Sequence, residues 1–90
     1  MTPNFVQLEN LRQALVKNAA NHAWSACVPL TSELENILKN LAPPQNEDER
    51  TILNNTLASF NAMHESALSE HKDVAKLLKG LAVKTPKRPQ

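Results

Sequence analysis

Apolar side chains along this chain recur in steps of three and four rather than in alternation. From Leu53 onward, Leu53, Leu57, Phe60, His64, Ala67, His71, Val74, Leu78 and Leu81 follow one another at that spacing, which puts them on one stripe of an α-helix. Asn46 stands where an N-cap belongs. Glu47, Asp48 and Glu49 fill the first turn, where carboxylates complement the positive end of the helix dipole, and Glu49 can complete a capping box. Lys76 and Lys79 suit the negative end, and Gly80, the single glycine, is placed to take a left-handed C-cap. The pattern predicts one unbroken helix over about 47–79, roughly 50 Å long at 1.5 Å per residue. The alternative is a break near His71–Asp73 that folds the remainder back as a fourth short helix, against which stands the lack of Gly or Pro between Arg50 and Lys79.

Two shorter helices precede it. Thr2 is a candidate N-cap and Pro3 suits the first helical position, and Phe5, Leu8, Leu11, Leu15 and Ala19 form the stripe of a helix over about 4–22. A second helix, about 24–41, buries Trp24, Val28, Leu34, Ile37, Leu38 and Leu41. Pro29 either kinks it or makes it restart at Thr31 or Ser32. Pro43 and Pro44 stop it, because the residue before a proline is driven out of the α region. A link as short as 43–45 implies that the second and third helices pack as an antiparallel hairpin. The expected fold is all-α: a single domain over 1–83, an antiparallel three-helix bundle or coiled coil with a long third helix. Residues 84–90, polar, basic and proline-bearing, read as a disordered tail.

The helix lengths do not match. The first two span roughly 27–29 Å each, so the third should project about 20 Å beyond them. The projecting part carries Leu68, Val74, Leu77, Leu78 and Leu81. Contiguous apolar surface of that kind marks a partner site, and these five residues are the expected binding surface.

Composition narrows the chemistry. One glycine and no tyrosine in 90 residues favour a helical protein. A net charge of +1 gives no global field toward nucleic acid, although six of the ten basic residues lie from Lys72 onward, against Asp73 alone. The lone Cys27 cannot form an internal disulfide and fits a reducing compartment. There is neither a basic–apolar–small leader nor an apolar run near 18 residues, so a soluble, cytoplasmic protein that does not enter a membrane is expected.

No catalytic or metal site is expected, and no cofactor. His64 and His71, seven apart, share a face but stand about 10.5 Å apart along the axis, too far to hold one ion. Cys27 with His22 lacks a third orienting residue and an oxyanion loop, and one glycine cannot build a phosphate loop. The basic tail has no interleaved aromatics, which weighs against nucleic acid.

The succession of a leucine- and alanine-rich helix, Asn21-His22-Ala23-Trp24, a leucine-spaced helix closed by Pro43-Pro44, and a helix with Leu68 and Val74-Ala75-Lys76-Leu77-Leu78 resembles flagellar export chaperones of the FliT/FlgN type. The resemblance spans roughly residues 5–81, with Trp24 in its context as its one semi-specific mark. Ser25 stands where the family often has an acid, and the family's further C-terminal helix is replaced by the basic tail. The resemblance implies a cytoplasmic, non-enzymatic chaperone or adaptor. Such a protein would hold the amphipathic C-terminal helix of a flagellar, or type III-like, export substrate and release it at the export apparatus. The alternatives are a structural helical homodimer without a client, or a small regulatory protein touching nucleic acid through its tail.

Overall fold

Four helices form, not three. The computed structural model describes residues 2–85, and in it α1 (Pro3–Ala20), α2 (Trp24–Lys39), α3 (Glu47–Leu68) and α4 (Lys72–Lys84) cover 82% of those residues, with no strand among them. The all-helical expectation holds; the single long third helix does not. A 50 Å rod would not fit a molecule whose longest dimension is 37 Å. The chain reverses at residues 69–71 and lays α4 back along α3.

The reversal has a clear energetic reason. An unbroken helix would leave Val74, Leu78 and Leu81 in water; folded back, they are 0%, 0% and 3% exposed. Burying each contributes about 1.5–3 kcal/mol, whereas the few helical hydrogen bonds given up are worth about 1 kcal/mol each net, and several are replaced. The Ala67 carbonyl accepts from the backbone N–H groups of Glu70 and His71, at 3.0 and 2.7 Å. His71, in extended backbone geometry, caps α4 by accepting the Val74 N–H on Nδ1 at 3.3 Å. Gly80 is therefore not a C-cap. It lies inside α4 with a negative φ, and a Cβ there would meet nothing within 4 Å.

The other boundaries follow the sequence more closely. Pro3 opens α1. The α1–α2 turn is a Schellman motif: Ala23 donates its N–H to Asn18 O (2.9 Å) and His22 to Ala19 O (3.0 Å). His22 fills the left-handed position at φ 57°, a place that glycine usually takes. Pro29 does not restart α2, which runs through it as one helix. The proline ring and Ser25, whose carbonyl loses its helical partner, both face solvent. Asn46 caps α3 by accepting the Glu49 N–H at 2.9 Å.

Helix order in space differs from helix order in sequence. α1 packs on α2 and α3, and α4 packs on α3 and α2, so α2 and α3 face each other across the diagonal of the bundle instead of forming the expected hairpin. Thr2 bonds to Glu49, Arg12 to Ser59 and His22 to Glu70, at sequence separations of 47, 47 and 48. α1 and α3 therefore run parallel and in register. α2 and α4, each running back along its hairpin partner, are therefore parallel too, and the Glu35–Lys84 ion pair (2.8 Å) joins their C-terminal ends. The molecule is two αα-hairpins side by side, with Phe5, Leu8, Leu15, Trp24, Cys27, Leu34, Phe60 and Leu78 among the side chains of one shared core. Lys84 and Thr85, expected in the tail, belong to the fold: Thr85 is 2% exposed and donates its hydroxyl to Leu81 O. The rest of the expected tail, 86–90, lies outside the described residues.

Phe60→Ala or Leu78→Ala should cost about 2–5 kcal/mol in denaturant unfolding. Gly80→Ala should raise stability by about 0.5–1 kcal/mol, because a helical position gains a Cβ without a clash. A fall in stability for Gly80→Ala would contradict the placement of Gly80 inside α4.

Candidate functional site

The five residues expected to form a binding surface divide into two groups. Val74, Leu78 and Leu81 are core, so they are withdrawn from that surface: the reversal at 69–71 turns them inward. Leu68 and Leu77 stay exposed, at 46% and 40%, but on different sides of α4. Leu77 precedes Lys84 by two helical turns and shares its stripe, which faces Glu35 on α2. Leu68 borders the outer seam of α3 and α4.

That seam is an open trough. One hollow of about 320 Å³ is lined by His64, Leu68, Lys72, Ala75, Lys76 and Lys79. A second, of about 330 Å³, is lined by Leu57, Asn61, Lys79, Ala82 and Val83. Lys79 borders both, so the two hollows adjoin along the seam (together, the channel), and their lining on α3, from Leu57 to Leu68, spans about 16 Å. The helical repeat explains its composition. Leu57, Asn61, His64 and Leu68 recur at 4, 3 and 4 residues on α3, and Lys72, Lys76, Lys79 and Val83 at 4, 3 and 4 on α4. Ala75 and Ala82 are small, so the floor between the two rows is hollow. His64 fixes the spacing by donating from Nδ1 to the Ala75 carbonyl at 2.9 Å. Val83 is 77% exposed at the far end. The seam places an apolar floor beside a lysine rim, a shape suited to a helix rather than to an enclosed small molecule.

Sequence reasoning reached Leu68 and missed the rest of the channel. The available signal was Lys72, Lys76 and Lys79 at i, i+4 and i+7 with alanines beside them. It carried no weight while the apolar stripe of the same helix stood as the exposed face.

Two glutamates hold the hairpins together at opposite ends. Glu49, 1% exposed, accepts the backbone N–H of Thr2 on Oε2 at 3.0 Å and that of Gln45 on Oε1 at 2.9 Å. It thus ties the start of α1 and the 40–46 link to α3, one residue short of the expected capping box. At the other end Glu70 Oε1 accepts from Trp24 Nε1 (3.0 Å) and lies 2.7 Å from His22 Nδ1. These donors hold both carboxyls below their ordinary value: for Glu49, first the Thr2 and then the Gln45 backbone amide; for Glu70, first the Trp24 indole and then His22. Trp24, 5% exposed, closes its end of the bundle.

The thiol and the histidine considered for nucleophilic chemistry are both engaged within the fold. Cys27 donates its thiol to Ala23 O at 3.6 Å, and burial pushes its pKa up. His22, its neighbour in sequence, is engaged with Glu70. Among the described residues no three His, Cys, Asp or Glu side chains are grouped to hold a metal ion, and no helix is long and apolar enough to cross a membrane. No protein-family model, curated protein or solved structure matches the chain.

The glutamate clamps make stability depend on pH on the acid side. A carboxyl whose folded pKa is lowered contributes stability that is complete above its unfolded value, near 4.5, and is lost as pH falls through the folded one. Unfolding midpoints should therefore drop below about pH 4.5. Glu49→Gln and Glu70→Gln should each be less stable at pH 7 and show a shallower acid limb. A Glu49→Gln variant with an unaltered acid limb would show that this clamp does not couple to folding.

Proposed function

We propose that the protein is a non-enzymatic helical chaperone or adaptor whose α3–α4 channel receives an amphipathic helix of a protein partner. The observation that supports this is the channel itself: exposed Leu68 and Val83 at its ends, a hollow floor over Ala75 and Ala82, and a length of about three helical turns. Helix-in-groove recognition reads anchors at i, i+3 or i+4 and i+7, and a channel of this length accommodates such a set. The resemblance to flagellar export chaperones names the client class: the C-terminal helix of an export substrate, held until it is handed to the export apparatus. The surface differs from the one that an overhanging helix would have offered. Leu68 is retained, and Leu57, His64, Ala75, Ala82 and Val83 replace the leucines that belong to the core.

Titration of isotope-labelled protein with synthetic C-terminal helices of late flagellar export substrates tests the reading. Chemical shifts should move at Leu57, His64, Leu68, Ala75 and Val83, with micromolar affinity, since association costs offset most of the apolar gain. Leu68→Glu should keep the helical spectrum and weaken binding at least tenfold, about 1.4 kcal/mol. Leu77→Glu, on the α2 side of α4, should leave binding unchanged. Shifts confined to α1 and α2, or none with any client helix, would overturn the export-chaperone reading.

A further inference from the structure

We infer that the helix seated in the α3–α4 channel is acidic, with carboxylates along one flank paired to Lys72, Lys76 and Lys79. The inference rests on the helix-binding reading above and adds the partner's charge. Three lysines stand on one rim, at i, i+4 and i+7 of α4, all exposed. Among the described residues none of them makes an ion pair, nor does Lys17 on α1, whereas Arg12, Lys39, Arg50 and Lys84 all do. No acid lines the channel. Asp73 shares the Leu77–Lys84 stripe of α4, directed toward α2, and Glu65, one turn from Asn61 and Leu68 on the outer edge of α3, does not line either hollow. The opposite rim offers Asn61 and Leu57, neutral and apolar. The channel is thus one-sided in charge, and a helix with a leucine ridge and glutamates on one flank complements it in a single orientation.

No segment among the described residues supplies such a helix. Residues 86–90 carry Lys87 and Arg88 and no acid. In a second copy, Glu9, Glu35, Glu47, Glu49 and Glu70 are engaged within the fold, and Glu33, Asp48, Glu65 and Asp73 fall on no common helix face at turn spacing. A lipid surface is a poorer match, because the strongly apolar face of α4 is buried in the core and the large apolar side chains it leaves exposed, Leu77 and Val83, are two isolated residues on different stripes. Nucleic acid would find three lysines over about 10 Å of helix and no aromatic side chain to stack on.

The test uses the full chain and three designed 18-residue helical peptides with one leucine ridge, whose flank carries Glu, Gln or Lys. The Glu peptide should bind about tenfold more tightly than the Gln peptide at low salt, and the gap should close toward high salt. The K72Q/K76Q/K79Q variant should bind the Glu and Gln peptides alike, and K72E/K76E/K79E should prefer the Lys peptide. A helical spectrum for each variant establishes that charge alone changed. Equal binding of the Glu and Gln peptides by the unaltered protein would overturn the acidic-partner inference and leave the groove reading standing. Failure of all three peptides would overturn both. Binding to phosphatidylserine vesicles or duplex DNA, abolished in the triple variants while no peptide binds, would assign the lysines to phosphate instead.

Discussion

The reversal at residues 69–71 is the constraint on which the rest of this structure depends. Without it α4 would be the free end of a rod, and the face of α2 that it covers would lie open. With it, Val74, Leu78 and Leu81 close the core, Lys84 reaches Glu35, and Glu70 comes to the turn end of the first hairpin, where it meets Trp24 and His22. The reversal contains neither glycine nor proline. It is held by Ala67 O, which accepts two backbone N–H groups, and by a histidine cap, so its stability comes from what it allows α4 to bury rather than from the turn.

Two hairpins packed in parallel register need something to fix that register, since apolar stripes slide with little penalty. The polar contacts between the hairpins supply it at three levels: Thr2–Glu49 at one end, Arg12–Ser59 in the middle, and His22 and Trp24 with Glu70 at the other. Arg12 is itself held by Glu9 at two points. Shifting one hairpin by a helical turn would break all three sets and leave Oε2 of the buried Glu49 carboxylate without its Thr2 donor. The core therefore supplies most of the stabilisation, and these few charge-assisted bonds select the alignment in which it forms.

Much of this was legible in the sequence, and the failures have physical causes. Asn46, Pro3 and the Pro43-Pro44 stop are local signals that act on the residues beside them, and each appears where its chemistry places it. The stripe from Leu53 to Leu81 is different. Steps of three and four report that side chains face one direction, and a short turn between two helices can preserve that step, so periodicity alone does not distinguish a long helix from a folded-back pair. The decisive residue, His71, caps with a ring nitrogen rather than with the Ser, Thr, Asp or Asn oxygen that marks most helix starts. The diagonal placement of α2 and α3 was equally hidden, because a short link limits distance but does not choose between a neighbouring and a diagonal helix. The channel followed from both errors: its floor exists only once α4 lies against α3.

Cys27 is the one thiol in the chain, and its placement gives the molecule an internal clock. Its side chain is fully covered, its proton is held by burial, and it sits on α2 in the shared core. A thiol reacts as its anion and only when a reagent can reach it. In the folded state, then, its alkylation proceeds only through moments when α2 lifts from its neighbours. The rate of that single reaction counts the openings of the bundle, and a ligand that braces α3 against α4 without touching α2 should slow the clock only as far as the two hairpins move as one body.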